Sequence, residues 1–180
     1  MILTSILIAL AAIVVVFVIV VATRPADFRI SRSTTMSASP SAVFELVNDF
    51  HKWEDWNPWG KVDPNAKMTY DGAPAGVGAS YSWAGNNKVG AGSGTIIESR
   101  PSDLIRIRLE FLKPMKATNI AEFTFKPQGN QTAVTWSMSG KANFMAKAFG
   151  LFVNCDTMVG KEFEKGLASM KAIAEASLVA

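Results

Sequence analysis

The chain of 180 residues contains one cysteine, Cys155, and one histidine, His51. A lone cysteine excludes a disulfide within the chain and a cysteine-based metal cluster, and it fits a reducing compartment. One imidazole and one thiol cannot supply the nitrogen and sulfur ligands that a zinc site usually takes. We therefore expect no metal and no cofactor.

The chain also lacks a stretch in which charge of one sign is concentrated. Its 18 lysine and arginine residues stand against 15 aspartate and glutamate residues, which gives a net charge of +3. A nucleic-acid-binding surface needs a basic stripe or patch, whereas these charges are scattered. The composition therefore argues against a nucleic-acid partner and allows mild attraction to anionic lipid headgroups.

Long apolar runs are absent except at the N-terminus. Residues 2–22 carry no charge, and Thr4 and Ser5 alone interrupt the apolar sequence. As a helix this run spans about 31 Å, which matches the hydrocarbon core of a bilayer. We interpret residues 1–23 as a transmembrane anchor and residues 24–27 as a linker.

A cleaved signal peptide is the competing interpretation of this run, because Val20 and Ala22 suit the residues that precede a cleavage site. We favour the anchor, because a basic n-region is missing and the run is longer than the usual h-region. Arg24, Arg29 and Arg32 follow the run, and no lysine or arginine precedes it. The positive-inside rule then predicts a single-pass membrane protein with its domain in the cytoplasm.

The sequence after the linker predicts a strand at residues 28–36 and then two short helices. Ser39 is a good N-cap, and Pro40 suits the first helical position. Residues 51–56 predict the second helix, which must end near Pro58.

Three tryptophans of the chain lie in or beside this second helix. Trp53 and Trp56 are three residues apart and share one face of it, and Trp59 follows the break. We interpret the three as a structural anchor that holds the short helices against the rest of the domain.

From residue 67 to residue 139 the apolar residues recur with a period of two, between turns rich in glycine and asparagine. This pattern predicts an antiparallel meander with one apolar face. Residues 143–176 return to helical spacing, and their apolar stripe must be buried against that face. The stripe consists of Phe152, Val159, Phe163, Leu167, Met170 and Ala174. The sequence thus predicts an α+β domain over residues 28–177, with an apolar space between sheet and helix where a small molecule could bind.

Four segments resemble the START-like, helix-grip superfamily (SRPBCC), in particular its polyketide cyclase/dehydrase and lipid-transport branch. They are "SASPSAVFELVNDFHKWEDWNPW", "GVGASYSWAGNNKVGAGSGTIIESRPSDLIRIRLEF", "AEFTFKPQGNQTAVTWSMSG" and "MVGKEFEKGLASMKAIAE". The resemblance implies a START/Bet v 1-like sheet of about seven strands around a long C-terminal helix. It also implies a ligand cavity, and it assigns no catalytic residue.

The candidate cavity residues are those that the alternation places on the apolar face of the sheet and on the helix stripe. Gly160 and Gly166 of the helix would leave room for a ligand. The candidates are Tyr81, Trp83, Phe111, Phe123, Trp136, Met138, Phe152, Asp156 and Phe163.

Asp156 is the one acidic residue within the apolar stripe. A buried carboxylate there would need a partner or a raised pKa, and it could then serve as an acid. Alternatively, the helix begins near Asn154 and Asp156 is its N-cap.

Other candidates for chemistry have simpler explanations. His51 could act as a base with Asp49, Glu54 or Asp55, but a histidine at the start of a helix is more often merely exposed. A nucleophilic pair of Cys155 with His51 lacks any sign of an activated thiol. The glycines of residues 90–94 do not have phosphate-loop spacing and more simply allow close approach within the sheet.

These observations favour a membrane-anchored protein that binds a hydrophobic small molecule or lipid between sheet and helix. The alternative is an enzyme of the cyclase/dehydrase type, in which Asp156, Tyr81 or a bound water moves a proton. A third possibility is a groove for a protein segment.

Overall fold

The computed structural model describes residues 2–176. Its helices are α1 (Ile2–Thr23), α2 (Pro40–Asn48), α3 (Trp53–Trp56), α4 (Pro58–Val62), α5 (Phe144–Phe149) and α6 (Cys155–Ala176), with a 3-10 turn at Phe50–Lys52. Its strands are β1 (Asp27–Met36), β2 (Lys67–Gly72), β3 (Ala79–Ala84), β4 (Ala91–Arg100), β5 (Leu104–Lys113), β6 (Ala117–Gln128) and β7 (Gln131–Lys141). Ser177, the last residue of the expected domain, lies outside the described residues.

Within residues 2–176, the strands form one antiparallel sheet in the order β1-β7-β6-β5-β4-β3-β2. Strands β2 to β7 follow one another as the predicted meander, and β1 pairs with β7. Along β5, Ile105 and Ile107 are buried and the arginines between and beyond them are not. The period of two therefore marks an inner, apolar face, and the predicted α+β class is confirmed.

The short helices between β1 and β2 are fixed to one another by side-chain hydrogen bonds. The hydroxyl of Ser39 accepts a hydrogen bond from the first turn of α2, as a cap should. The indole N–H of Trp53 donates to the carbonyl of Val47 (3.0 Å), and that of Trp56 donates to the carbonyl of Leu46 (2.8 Å). These two bonds satisfy carbonyls near the end of α2 and hold α3 against it.

The expectation of one continuous helix over residues 143–176 is wrong, because two helices with a break between them occupy this stretch. Helix α5 ends at Phe149, and α6 begins only at Cys155. The side-chain oxygen of Asn154 accepts a hydrogen bond from the backbone N–H of Thr157 (3.0 Å), so Asn154 is the N-cap. This cap interrupts the helical spacing, and Phe152 lies in the connection with 80% of its surface exposed.

Helix α1 is the one helix within residues 2–176 that is long and apolar enough to cross a membrane. A signal sequence near the N-terminus or the core helix of a soluble protein would meet the same criteria. Val21 is its one buried residue among those described, so α1 is not packed inside the domain.

Helix α6 lies on the inner face of the sheet, and its two central glycines are in close contact with neighbouring side chains. A Cβ atom at Gly166 would lie 2.8 Å from Cζ3 of Trp136 and 2.9 Å from Cδ of Pro58. The guanidinium group of Arg32 lies directly against Gly160. The expectation that these glycines leave room for a ligand is therefore wrong, because protein side chains fill the space.

We expect Gly166→Ala to destabilise the domain. The new methyl group would overlap an indole and a proline ring, neither of which can move freely, at a cost of about 1–3 kcal/mol. This cost exceeds the gain of about 1 kcal/mol in helix propensity. Thermal melting of Gly160→Ala is the matched control, because the new methyl group there meets the end of the flexible Arg32 side chain and costs at most the exposed ion pairs of that side chain. A Gly166→Ala variant that melts at or above the wild-type temperature would show that the site has free space.

The outer face of the sheet carries a cluster of charged residues around Glu122. This side chain is 18% exposed and accepts hydrogen bonds from Arg106 (2.8 Å) and Arg29 (3.3 Å). Burial opposes ionisation of the carboxyl group, but the two guanidinium groups outweigh that effect and lower the pKa of Glu122. The ionised form is therefore the one that stabilises the fold.

We expect Glu122→Gln to lower the free energy of unfolding by about 1 kcal/mol at pH 7. A carboxyl group with a lowered pKa contributes stability above its unfolded pKa of about 4.3, and that contribution is lost as the pH falls through the folded value. The difference between wild type and variant should therefore shrink below about pH 4. Denaturant titrations at several pH values would measure this difference, with Glu110→Gln as the control because the Glu110 side chain is exposed.

Candidate ligand-binding face

The space between the sheet and α6 is filled by aromatic rings. The ring of Trp136 stacks on Phe163 with centroids 4.1 Å apart and on Phe123 at 4.9 Å. Trp53 and Trp56 close the cluster, and Trp56 has no exposed surface. Of the predicted cavity residues, Tyr81, Phe123, Trp136 and Phe163 therefore lie within a packed core.

Three other predicted residues lie at the edge of that core, on the inner face of the sheet. Trp83, Phe111 and Met138 are partly exposed, as is their neighbour Leu109. We call these four residues the apolar shelf. Leu109 was not among the predicted cavity residues, although it belongs to the same alternation along β5 as Phe111.

The apolar shelf is built on two glycines of β4. The ring of Tyr81 lies against Gly94, and the ring of Trp83 lies 2.6 Å from the position of a Cβ atom at Gly92. Trp83 also donates its indole N–H to the carbonyl of Val89 (3.1 Å) and contacts Phe111 with ring centroids 5.6 Å apart. The two glycines thus let two large rings lie flat on the sheet. This packing explains why glycine is frequent here, and no phosphate-binding role is needed to explain it.

The apolar shelf lies at the end of the sheet where β1 begins. Phe111 pairs with Ala117, and Asp27 pairs with Lys141, which places all four at one end of their strands. Because α1 precedes β1 by three residues, the partly exposed part of the inner face lies at the end where α1 meets the domain.

Asp156 is not buried in the apolar stripe. It lies in the first turn of α6 with a side chain that is 57% exposed, and it binds Arg32 at 2.9 Å. The hydrogen bond from Arg32 lowers the pKa of Asp156, so the carboxylate stays ionised. The alternative prediction that the helix begins near Asn154 is confirmed, but the N-cap is Asn154 and not Asp156.

His51 lies outside the apolar shelf, in a small cleft of about 140 Å³. Its Nδ1 lies 2.9 Å from a carboxylate oxygen of Asp49, and its ring contacts that of Tyr70 with centroids 4.3 Å apart and planes tilted by 30°. Burial, helped by a hydrogen bond to Glu54, raises the pKa of Tyr70 to about 12. The histidine is 59% exposed, which agrees with the simpler explanation of this residue.

Cys155 is partly buried, and its thiol contacts the carbonyl of Val153 at 3.8 Å. Among residues 2–176, no group of three or more histidine, cysteine, aspartate or glutamate side chains could hold a metal ion.

An antiparallel sheet whose inner face holds one long C-terminal helix defines a helix-grip protein. The chain belongs to the family described as "Polyketide cyclase / dehydrase and lipid transport", which matches residues 27–175. The predicted resemblance is thereby confirmed.

Solved structures share this fold. They include a protein from Chromobacterium violaceum (16% identity, 84% of this chain and 99% of that chain, TM-score 0.59). The Aha1 dimer from Colwellia psychrerythraea is similar (14%, 82% and 96%, 0.58), as is the di-domain ARO/CYC StfQ from the steffimycin biosynthetic pathway (9%, 86% and 53%, 0.62). Identities this low show a common fold alone. No curated protein matches the chain in sequence.

Proposed function

We propose that this protein is a membrane-anchored domain that binds a hydrophobic small molecule or lipid on the apolar shelf. The observation that carries the proposal is the position of Trp83, Leu109, Phe111 and Met138: they are partly exposed, and they lie at the end of the sheet that α1 enters. Apolar side chains that stay partly in water at a concave face are typical of a ligand site. The family description, which includes lipid transport, supports the same class of ligand.

In this proposal residues 1–23 anchor the chain, residues 24–27 connect it, and residues 28–177 form the binding domain on the cytoplasmic side. The partners are the bilayer and an apolar ligand, without metal or nucleic acid. The length and composition of α1 support the anchor.

Binding is favoured over proton-transfer chemistry by the state of the two candidate acids. Asp156 is exposed and held ionised by Arg32, away from the apolar shelf. Burial raises the pKa of Tyr81, so its phenol keeps its proton at neutral pH. Neither group is arranged to give and take a proton near pH 7.

The test is mass spectrometry of lipids that copurify with the full chain, followed by thermal melting with a panel of fatty acids, phospholipids and quinones. We expect a bound lipid or a rise in melting temperature with at least one class. An empty protein whose melting temperature no member of the panel changes would contradict the proposal.

A further inference from the structure

Most of the large apolar side chains that are exposed outside α1 lie at one end of the domain. Two parts of the chain carry them within residues 2–176: the end of β5 with the turn to β6, and α5 with the connection that follows it. We call this surface the apolar rim, which consists of Leu112, Met115, Phe144, Met145, Phe149 and Phe152. By contrast, exposed Val77 lies in the β2–β3 connection at the opposite end.

The apolar rim is attached to the C-terminal end of α1. The ammonium group of Lys147 in α5 donates hydrogen bonds to the carbonyls of Ala22 (3.1 Å) and Arg24 (2.9 Å). Arg24 in turn donates to the carbonyl of Gly150 (3.4 Å), and Val21 is fully buried beside this junction. Helix α5 therefore lies level with the last turn of α1, where a membrane-spanning α1 would leave the hydrocarbon.

Basic side chains surround the apolar rim. Lys113 is the last residue of β5, Lys116 follows Met115 in the β5–β6 turn, and Lys141 is exposed at the end of β7. The acidic neighbours at this end include Asp27. Apolar side chains bordered by lysines are the combination that binds the interface of a bilayer with anionic headgroups.

We propose that the apolar rim inserts into the interfacial layer of the bilayer that α1 crosses, and that the lysines around the rim contact anionic lipid headgroups. This inference rests on the proposed anchoring by α1 and adds the orientation of the domain. The open end of the apolar shelf then faces the leaflet, and a lipid can move from the membrane onto Trp83 and Phe111 without crossing water.

The test uses the full chain with Cys155→Ser, reconstituted in vesicles of phosphatidylcholine and phosphatidylglycerol. An environment-sensitive fluorophore is attached at one introduced cysteine: Met115→Cys and Met145→Cys in the apolar rim, Val77→Cys as the matched exposed control, or Ile13→Cys in α1. Lipids that carry a nitroxide at a shallow or a deep acyl position quench the fluorophore according to its depth.

We expect the shallow nitroxide to quench labels at 115 and 145 at least threefold more than the label at 77, with the deep nitroxide quenching the label at 13. Labels at 115 and 145 that behave like the label at 77, while the label at 13 is quenched, would overturn the inference and leave the anchor intact. An unquenched label at 13 would overturn both. A blue shift at 115 and 145 that persists in detergent without quenching by lipid would show a protein contact and also overturn it.

Discussion

Replacing Trp56 by alanine is expected to lower the free energy of unfolding by about 3–5 kcal/mol. Trp56 has no exposed surface and touches the rings of Trp53, Phe123 and Trp136. The substitution also leaves the carbonyl of Leu46 without its 2.8 Å hydrogen bond. For a domain of this size such a loss corresponds to a fall in melting temperature of about 6–20 °C.

Circular dichroism melts and denaturant titrations would measure the effect, with Trp59→Ala as the control. Trp59 lies in α4 and is partly exposed, so replacing it by alanine should lower the free energy of unfolding much less. Melting of Trp56→Ala that stays near the wild-type temperature, together with weaker ligand binding, would instead identify the tryptophans as the edge of a binding site.

Phe111→Glu is expected to reduce ligand binding at least tenfold while the domain stays folded. Phe111 is partly exposed near the end of β5, so a carboxylate there can reach water in the free protein. A bound apolar ligand would remove that water, and burying an unpaired charge costs more than the 1.4 kcal/mol that a tenfold change requires.

A photoactivatable fatty acid in nanodiscs is a suitable probe, because crosslinks can be assigned to peptides by mass spectrometry. We expect crosslinks in β3 and β5 that Phe111→Glu removes. Ile97→Glu is the matched control, since Ile97 is an exposed apolar strand residue outside the apolar shelf. Equal crosslinking in the two variants would place the ligand elsewhere.

The sequence was sufficient to predict the sheet because each strand has one face in the core and one in water. The alternation of Ile105, Ile107, Leu109 and Phe111 with charged residues records that difference directly. The same reasoning failed at residue 152, because Phe152 has helical spacing with Phe163 although the Asn154 cap separates them. A cap is a local competition for hydrogen bonds that periodicity does not detect.

The sequence could not predict that side chains fill the space between sheet and helix, for a different reason. Whether Gly166 leaves a space depends on the rotamer of Trp136 and on the position of Pro58, which comes from a distant part of the chain. Likewise, the partner of Asp156 is Arg32, separated from it by 124 residues. Such contacts depend on how α6 lies across β1, and a single sequence carries no signal for that placement.

The short connection between α1 and β1 limits how far the domain can travel. Residues 24–26 alone separate Thr23 from Asp27, and three extended residues reach about 10 Å. With α1 in a bilayer, the domain cannot carry a ligand through water to a second membrane that lies beyond this reach. Its exchange would be confined to molecules that diffuse in the plane of its own leaflet, or to soluble proteins that approach that leaflet.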